Sequence, residues 1–195
     1  MDWRLYKAIY DVSLHHHWVG RLFYDIEKIS IPLVVVMTAA LWFFSRPGGD
    51  RKWKLASGSG FAAAALAYAV AFTIHHIWSR PRPYMSHHIS HPWSNTTDAS
   101  FPSDHTTVSF AIAAAVLAID LPAGVIFLVV AAIISIGRIF IGAHYPSDVL
   151  AGFVIGLVVA GVVVRFLPRF VSWVVSYVER VSDPLLRPLW RSTGR

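Results

Sequence analysis

Five uninterrupted apolar runs constrain the fold of this 195-residue chain more than any other feature. They contain no Asp, Glu, Lys, Arg or His, and they cover residues 29–44, 55–74, 106–119, 123–137 and 149–164. A helix needs about 20 mostly apolar residues to cross a bilayer, and flanking residues can extend the shorter runs to that length. The sequence therefore predicts an all-α, polytopic membrane bundle of about five transmembrane helices.

A soluble helical protein is the alternative, since apolar runs of about 10 to 14 residues are usually core helices. Hydrophobic residues make up 55% of this chain and charged residues only 14%. A soluble chain of this size would need polar helix faces to cover its core, and the runs show no 3.6-residue alternation with charge. We therefore expect a membrane protein.

The segment before the first run mixes charged residues throughout and lacks the central apolar stretch of a cleavable signal peptide. It carries apolar residues at helical spacing, namely Leu5, Ile9, Val12, Val19, Leu22, Phe23 and Ile26. This pattern predicts an interfacial amphipathic helix over residues 1–28. Residues 29–167 would form the transmembrane domain and residues 168–195 a basic amphipathic tail, with Pro168 interrupting the last helix. Because the chain has no cysteine, disulfides and thiolate chemistry are excluded.

The net charge of +6 could indicate a nucleic-acid partner, but the positions of the basic residues argue against one and indicate a membrane topology. Basic residues crowd two places, the first at Arg46, Arg51, Lys52 and Lys54, and the second at Arg165, Arg169, Arg180, Arg187, Arg191 and Arg195. The positive-inside rule makes both places cytoplasmic, which puts loop 78–104 and turn 142–148 outside. Four basic residues before the first run oppose this orientation.

The long loop between the second and third runs is a candidate functional segment, because loops of this length in compact chains usually carry function. It opens with Arg80 and Arg82, each followed by proline, and closes with Ser103, Asp104 and His105. Ser103 or Asp104 can cap the next helix, whose free backbone amides favour an anion. The alternative for these fragments is an arginine pair that contacts lipid headgroups and a routine helix cap.

A third group of polar residues follows the fourth run, where Arg138, His144 and Asp148 lie close together in sequence. Arginine costs roughly 2.5 to 3.5 kcal/mol at the centre of a membrane helix, so Arg138 needs an anionic partner. If a helical turn begins at His144, Asp148 lies on the same face and accepts from one imidazole nitrogen. The other nitrogen would then be free to act as a nucleophile.

Together these three groups predict phosphoryl transfer. Its transition state spreads negative charge over three equatorial oxygens, which fixed arginine forks and helix-end amides can stabilise. One histidine would attack phosphorus and the second would donate a proton to the leaving oxygen. The sequence shows no carboxylate cluster suited to Mg²⁺, so we expect neither a metal nor another cofactor.

These motifs, Arg82-Pro83, Pro102-Ser103-Asp104-His105 and Arg138 through His144 to Asp148, resemble those of the type 2 phosphatidic acid phosphatase family. The resemblance covers about residues 75–148. It implies that His144 is the nucleophile, Asp148 orients it and His105 is the general acid. The candidate phosphate-binding residues are Arg82, Arg138, Ser103, His75, Asp104 and Arg80.

Three positions differ from the family pattern. His75 stands where the family usually has lysine, so a permanent charge is replaced by one that titrates. Asp104 replaces the usual glycine and Gly137 the usual serine. Each substitution changes a side chain that we expect at or beside the bound phosphate.

The form Phe101-Pro102-Ser103-Asp104-His105 and the histidines at 15–17 resemble the bacterial undecaprenyl-diphosphatase branch of the family. This resemblance implies a multi-pass enzyme of the bacterial cytoplasmic membrane, with its active site on the outer side. It would cleave undecaprenyl diphosphate to the monophosphate through a phosphohistidine, as part of cell-wall carrier recycling. Phosphatidic acid and phosphatidylglycerol phosphate are the alternative lipid substrates. The sequence indicates no oligomeric state.

The ten histidines also allow a hypothesis of another class, a membrane metal-binding or transport protein. Its ligands would come from His15, His16, His17, His75, His76, His87, His88 and His91. These residues lie mainly outside the apolar runs, and no acidic partners line a path across the membrane. We therefore prefer the phosphatase.

Overall fold

The computed structural model describes residues 1–45, 50–87, 89–90 and 93–191, with the side chains of 189–191 excepted. These described residues form helices and no strand. The helices are α1 (Asp2–His15), α2 (His17–Phe44), α3 (Lys52–Ile77), α4 (Pro83–His87), α5 (Asp104–Leu117), α6 (Leu121–Phe140), α7 (Pro146–Phe166) and α8 (Pro168–Arg191). The predicted all-α class is confirmed. His88 and His91, two of the candidate metal ligands, lie outside the described residues.

Four of the described helices, α2, α3, α6 and α7, are long and apolar enough to cross a membrane. The fifth predicted span corresponds to α5, whose 14 residues extend only about 21 Å at 1.5 Å per residue. That is less than the roughly 30 Å of a hydrocarbon core. The multi-pass bundle is thus confirmed with four helices of spanning length around a shorter one.

The short helix α5 lies at the centre of the bundle, packed against α3, α6 and α7. Two glycines let α7 approach it closely. A Cβ atom at Gly156 would lie 2.7 Å from the Thr107 carbonyl oxygen, and one at Gly152 would lie 2.8 Å from that of Ser103. Small residues commonly permit such close helix packing in membranes. As a result the Ser103 amide donates to the Asp148 carbonyl at 3.1 Å, which joins the starts of α5 and α7.

The helical structure of the N-terminal region is interrupted at His16 and not at residue 28, where the predicted interfacial segment ends. Helix α2 runs without interruption from residue 17 to 44, so the second half of the expected interfacial segment continues the first span. Helix α1 packs against α2, α6 and α7. An interfacial location for residues 1–28 stays a prediction.

Arg51, Lys52 and Lys54 lie at the end of the bundle opposite the polar motifs, because α3 runs from these basic residues to the motifs. Arg46 lies outside the described residues. At the basic end α8 docks on α3, with Lys54 2.7 Å from Asp183 and Arg51 2.9 Å from Glu179. Lys54 has only 2% of its side chain exposed, so it depends on its carboxylate partners. The start of α8 at Pro168 agrees with the predicted interruption of the last helix.

Candidate active site

The turn between α6 and α7 places His144 back against the last turn of α6. Gly142 has a φ of 79°, which favours glycine, and a Cβ there would lie 2.8 Å from the Tyr10 ring. The amides of Ala143 and His144 both donate to the Arg138 carbonyl, at 3.0 and 3.3 Å. His144 is completely buried by this turn.

The partners of His144 determine which of its nitrogens carries the proton. Nδ1 lies 2.7 Å from the Ser100 carbonyl oxygen, and Nε2 lies 3.3 Å from Arg82 Nη1 and 3.1 Å from Arg138 Nη2. A carbonyl only accepts and a guanidinium only donates, so Nδ1 is protonated and Nε2 presents its lone pair. Burial, and then the charges of Arg138 and Arg82, lower the pKa of His144 well below its usual value. The imidazole is therefore neutral, and the lone pair of its Nε2 is directed at two cations.

The two arginines form a buried cationic pair, each with 3% of its surface exposed. Arg82 donates from Nε to the Asp98 carbonyl at 3.1 Å and from Nη1 to that of Ala143 at 3.0 Å. Arg138 donates from Nη1 to the Glu27 carboxylate. Within the described part of the chain, Arg138 Nε has no hydrogen-bond partner. The pair thus keeps donors available for an anion beside Nε2 of His144.

The predicted hydrogen bond between Asp148 and His144 is not formed. Asp148 Oδ2 lies 3.8 Å from Nδ1 of His144 and accepts instead from Ser100 Oγ at 2.5 Å and from the Tyr145 amide at 2.9 Å. The reason is that α7 begins at Pro146, so the Asp148 carboxylate caps the first turn and does not stack below the imidazole. Asp148 can orient His144 only through Ser100, whose hydroxyl it holds and whose carbonyl receives Nδ1.

Arg80, predicted to bind phosphate, lines a polar cavity, but protein groups already engage its terminal nitrogens. Its Nη1 donates to Asp148 at 2.5 Å and to Ser147 at 2.7 Å, and its Nη2 donates to Asp2 at 2.7 Å. Its guanidinium also lies 4.1 Å from the centre of the Tyr145 ring. Because two carboxylates already engage these donors, we assign Arg80 to positioning Asp148 and not to phosphate binding.

Helix α1 covers the turn that carries His144, a role that sequence reasoning missed. Asp2 accepts from the amide and hydroxyl of Ser147 at 3.1 and 2.5 Å, and the Tyr6 hydroxyl donates to the Gly142 carbonyl at 3.3 Å. The Tyr6 and Tyr10 rings are buried and stack 5.4 Å apart. Their four-residue spacing was the available signal, because two aromatic rings one helical turn apart indicate a buried face.

The segment Ser103-Asp104-His105 caps helix α5 and also pairs the Asp104 carboxylate with the His105 imidazole. Ser103 caps α5 as predicted, with its hydroxyl accepting from the Thr106 amide. Asp104 Oδ1 accepts from the amide and Nδ1 of His105, at 2.9 and 3.1 Å. A carboxylate repels phosphate, so this geometry makes Asp104 a partner of His105 and not a phosphate ligand. With Nδ1 held, Nε2 of His105 is the nitrogen that can donate a proton.

Two cavities meet beside these motifs. A polar one of about 710 Å³ is lined by residues that include Arg80, Arg82 and His75. A second one of about 390 Å³ is lined by His105 and by apolar residues of α2, α3 and α5, namely Ile31, Phe61, Ala64, Ala65 and Val108. Tyr68 and Asp104 line both cavities. The first can hold an anionic headgroup and the second an apolar chain.

His75 lines the polar cavity, but its Nε2 is engaged 2.8 Å from the Pro102 carbonyl oxygen. It therefore supports the backbone before Ser103. As for metal binding, the structure shows no group of three or more His, Cys, Asp or Glu able to hold an ion among the residues it describes.

Comparison with known proteins identifies relatives of similar length. The family model described as the PAP2 superfamily matches residues 58–172. Undecaprenyl-diphosphatase BcrC of Bacillus subtilis is 28% identical over 157 residues, covering 80% of this chain and 79% of that protein. Putative undecaprenyl-diphosphatase YbjG of Escherichia coli is 30% identical over 141 residues, covering 72% and 69%.

The fold also matches a solved structure, described as the first transmembrane PAP2 type phosphatidylglycerolphosphate phosphatase from Bacillus subtilis. The TM-score is 0.66 at 21% identity, over 86% of this chain and 85% of that chain. The family match begins at residue 58, so α1, α2 and their contacts with the site lie outside it.

Proposed function

This chain belongs to the PAP2 superfamily, and on that premise we propose that it hydrolyses undecaprenyl diphosphate to undecaprenyl phosphate and phosphate. The family resemblance seen in the sequence is thereby confirmed, and the protein is a multi-pass membrane phosphatase. The substrate and the covalent intermediate are the parts that we propose.

The observation that carries the mechanism is the lone pair of His144 Nε2, held between Arg82 and Arg138. In the proposed first step Nε2 forms a bond to the terminal phosphorus while the bond to the bridging oxygen breaks. The two guanidinium groups stabilise the charge on the equatorial oxygens, and His105 donates a proton to the leaving oxygen. Water then attacks the phosphohistidine, His105 takes the water proton, and phosphate leaves with His144 regenerated.

The two adjoining cavities support a lipid substrate. The polar cavity contains Arg82, and the apolar cavity beside it is bounded by His105. A long isoprenoid chain could stay in apolar surroundings while its headgroup reaches the arginines. The names of the two sequence relatives favour undecaprenyl diphosphate among such lipids.

We also propose that the active site faces the outer side of the bacterial cytoplasmic membrane. The support is the position of Arg51, Lys52 and Lys54 at the end of the bundle opposite His144, together with the arginines at 169, 180 and 187 along α8. Basic residues favour the cytoplasmic side. Labelling of single cysteines introduced at exposed positions of either end, in intact cells, tests this orientation.

Phosphate release from pure lipids in detergent tests the substrate. We expect kcat/KM for undecaprenyl diphosphate to exceed that for phosphatidic acid and phosphatidylglycerol phosphate by at least about tenfold, because a lipid monophosphate departs more easily than an alkoxide. A water-soluble phosphate ester is the control for the contribution of the lipid chain. Equal efficiency on all three lipids would remove the proposed substrate and leave the phosphatase.

Chelation separates the phosphatase from the metal-binding alternative. Because arginines and helix-end amides supply the charge, we expect EDTA treatment to change phosphate release by less than about twofold. The measurement is the initial rate on undecaprenyl diphosphate before and after chelation. Loss of activity with recovery on adding Zn²⁺ or Mg²⁺ would contradict the proposed mechanism.

A further inference from the structure

We propose that Glu27, on the first transmembrane helix, is a positioning residue that orients Arg138 for phosphoryl transfer. Its carboxylate accepts from Arg138 Nη1, although 111 positions separate the two residues in sequence. The family match begins at residue 58, so Glu27 is an addition from outside the matched region. The inference rests on the proposed function and adds to its active site a residue that acts through Arg138.

The packing of α2 on α6 brings the two groups together. Phe23, one turn before Glu27, stacks on Phe140 with ring centres 4.7 Å apart. A Cβ atom at Gly137 would lie only 2.9 Å from the Phe23 ring, so the missing side chain permits this approach. The absence of a side chain at Gly137 therefore accommodates Phe23, and this packing of α2 on α6 brings Glu27 to Arg138.

Arg138 needs such a partner because its guanidinium is buried beside another one. Arg82 and Arg138 both approach Nε2 of His144, and their like charges repel. Arg82 is held by two backbone carbonyls. Among the residues that the structure describes, Glu27 is the carboxylate that hydrogen-bonds Arg138. Removing one partner of a buried ion pair leaves an uncompensated charge, so without Glu27 the Arg138 side chain would turn away from Arg82.

The Glu27 carboxylate binds Nη1 of Arg138, the guanidinium nitrogen that the reaction does not need. Nε and Nη2 lie on the same edge of the planar guanidinium, and this edge is the usual fork for a phosphate. In Arg138, Nη2 points at His144 Nε2 and Nε is unpartnered within the described residues, whereas Glu27 binds Nη1. Glu27 therefore holds Arg138 from the far side and leaves the fork directed at the nucleophile.

Glu27→Gln tests the proposal because it keeps the shape of the side chain and removes its charge. We expect kcat on undecaprenyl diphosphate to fall by about 10- to 100-fold, with KM changed by less than about threefold. Inhibition by orthovanadate, which mimics the transferring phosphoryl group, should weaken by a similar factor. An inhibition constant does not depend on the fraction of folded enzyme, so a purely structural defect would leave it unchanged.

Asp25→Asn is the matched control. Asp25 lies on the same helix, and its exposed carboxylate pairs with Arg21 at 3.6 Å. We expect this variant to keep the kcat and vanadate inhibition of the wild type, which would exclude a general effect of negative charge on α2. Glu27→Asp should recover part of the lost rate.

Two results would overturn the inference: an unchanged kcat in Glu27→Gln, or an unchanged inhibition constant for vanadate. A lower KM beside the unchanged kcat would make the carboxylate a competitor of phosphate. Failure of the proposed function is distinguishable because it would appear in the wild-type enzyme, either as no phosphate release from undecaprenyl diphosphate or as equal efficiency on all three lipids.

Discussion

His144→Ala is expected to abolish phosphate release from undecaprenyl diphosphate, with a loss of at least about 10⁴-fold in kcat. The imidazole is completely buried, and its Nε2 is the basic atom that faces both Arg82 and Arg138. Alanine removes the atom that forms the bond to phosphorus. The measurement is the initial rate in detergent with purified protein whose thermal stability matches the wild type.

Trapping the intermediate gives the same prediction a second readout. Acid destroys a phosphohistidine and base preserves it, so rapid quenching in base of the wild type with terminally labelled substrate should leave label on the protein. His144→Ala should leave none. His15→Ala is a control histidine, since its ring is exposed and bonds its own helix at the Asp11 carbonyl. Full activity in His144→Ala would eliminate the mechanism.

His105→Ala provides the contrast within the active site. We expect this variant to slow turnover by about 10²- to 10⁴-fold and to retain lipid binding, because it removes a proton donor and not the nucleophile. The loss should be smaller on the diphosphate than on phosphatidic acid, since the diphosphate leaving group needs a proton less. An equal loss on both lipids would contradict the assignment of His105 as the general acid.

Arg82→Ala is expected to lower kcat by about 10²- to 10³-fold, the usual cost of removing one preorganised donor to transition-state charge. Arg82 contacts His144 Nε2 and donates to the Ala143 carbonyl, so in the proposed mechanism it binds phosphate and also supports the turn that carries His144. Arg82→Lys should recover little of the rate, because a single ammonium cannot replace the planar fork. Steady-state kinetics on undecaprenyl diphosphate measures both variants.

Arg80→Ala is the comparison for Arg82. Arg80 is connected to His144 through Asp148 and Ser100 and does not itself contact Nε2, so its loss should cost less than the loss of Arg82. The effect should also be the same factor for diphosphate and monophosphate lipids. A selective loss on the diphosphate would restore the sequence-based hypothesis that Arg80 binds phosphate. For Arg82, near-wild-type rates in Arg82→Lys would contradict the claim that its planar guanidinium is needed to bind phosphate.

Several features of the protein could be predicted because they depend on local sequence. Membrane character follows from apolar runs, since hydropathy is a property of consecutive residues. Ser103 caps α5 as expected, because a cap and its helix are neighbours in the chain. The three motifs identified His144, His105 and Arg138 as candidate site residues, and the family match places their chain in the PAP2 superfamily.

Hydrogen-bond partners at the site could not be predicted in the same way. The start of α7 at Pro146 shifts Asp148 away from His144 by part of a helical turn, and spacing alone does not determine that start. Arg80 was expected at the phosphate because an arginine beside a motif has no visible partner in the sequence. The structure supplies Asp2 and Asp148.

The sequence by itself determined that this chain spans a membrane, that Ser103 caps the helix after the long loop, and that His144 is a nucleophile candidate. Only the tertiary structure decided that α1 covers the His144 turn and that Glu27 holds Arg138. The physical reason is the range of the interactions. Hydropathy and capping act over a few residues, whereas the Glu27 contact depends on how α2 packs against α6, at a glycine more than a hundred residues away.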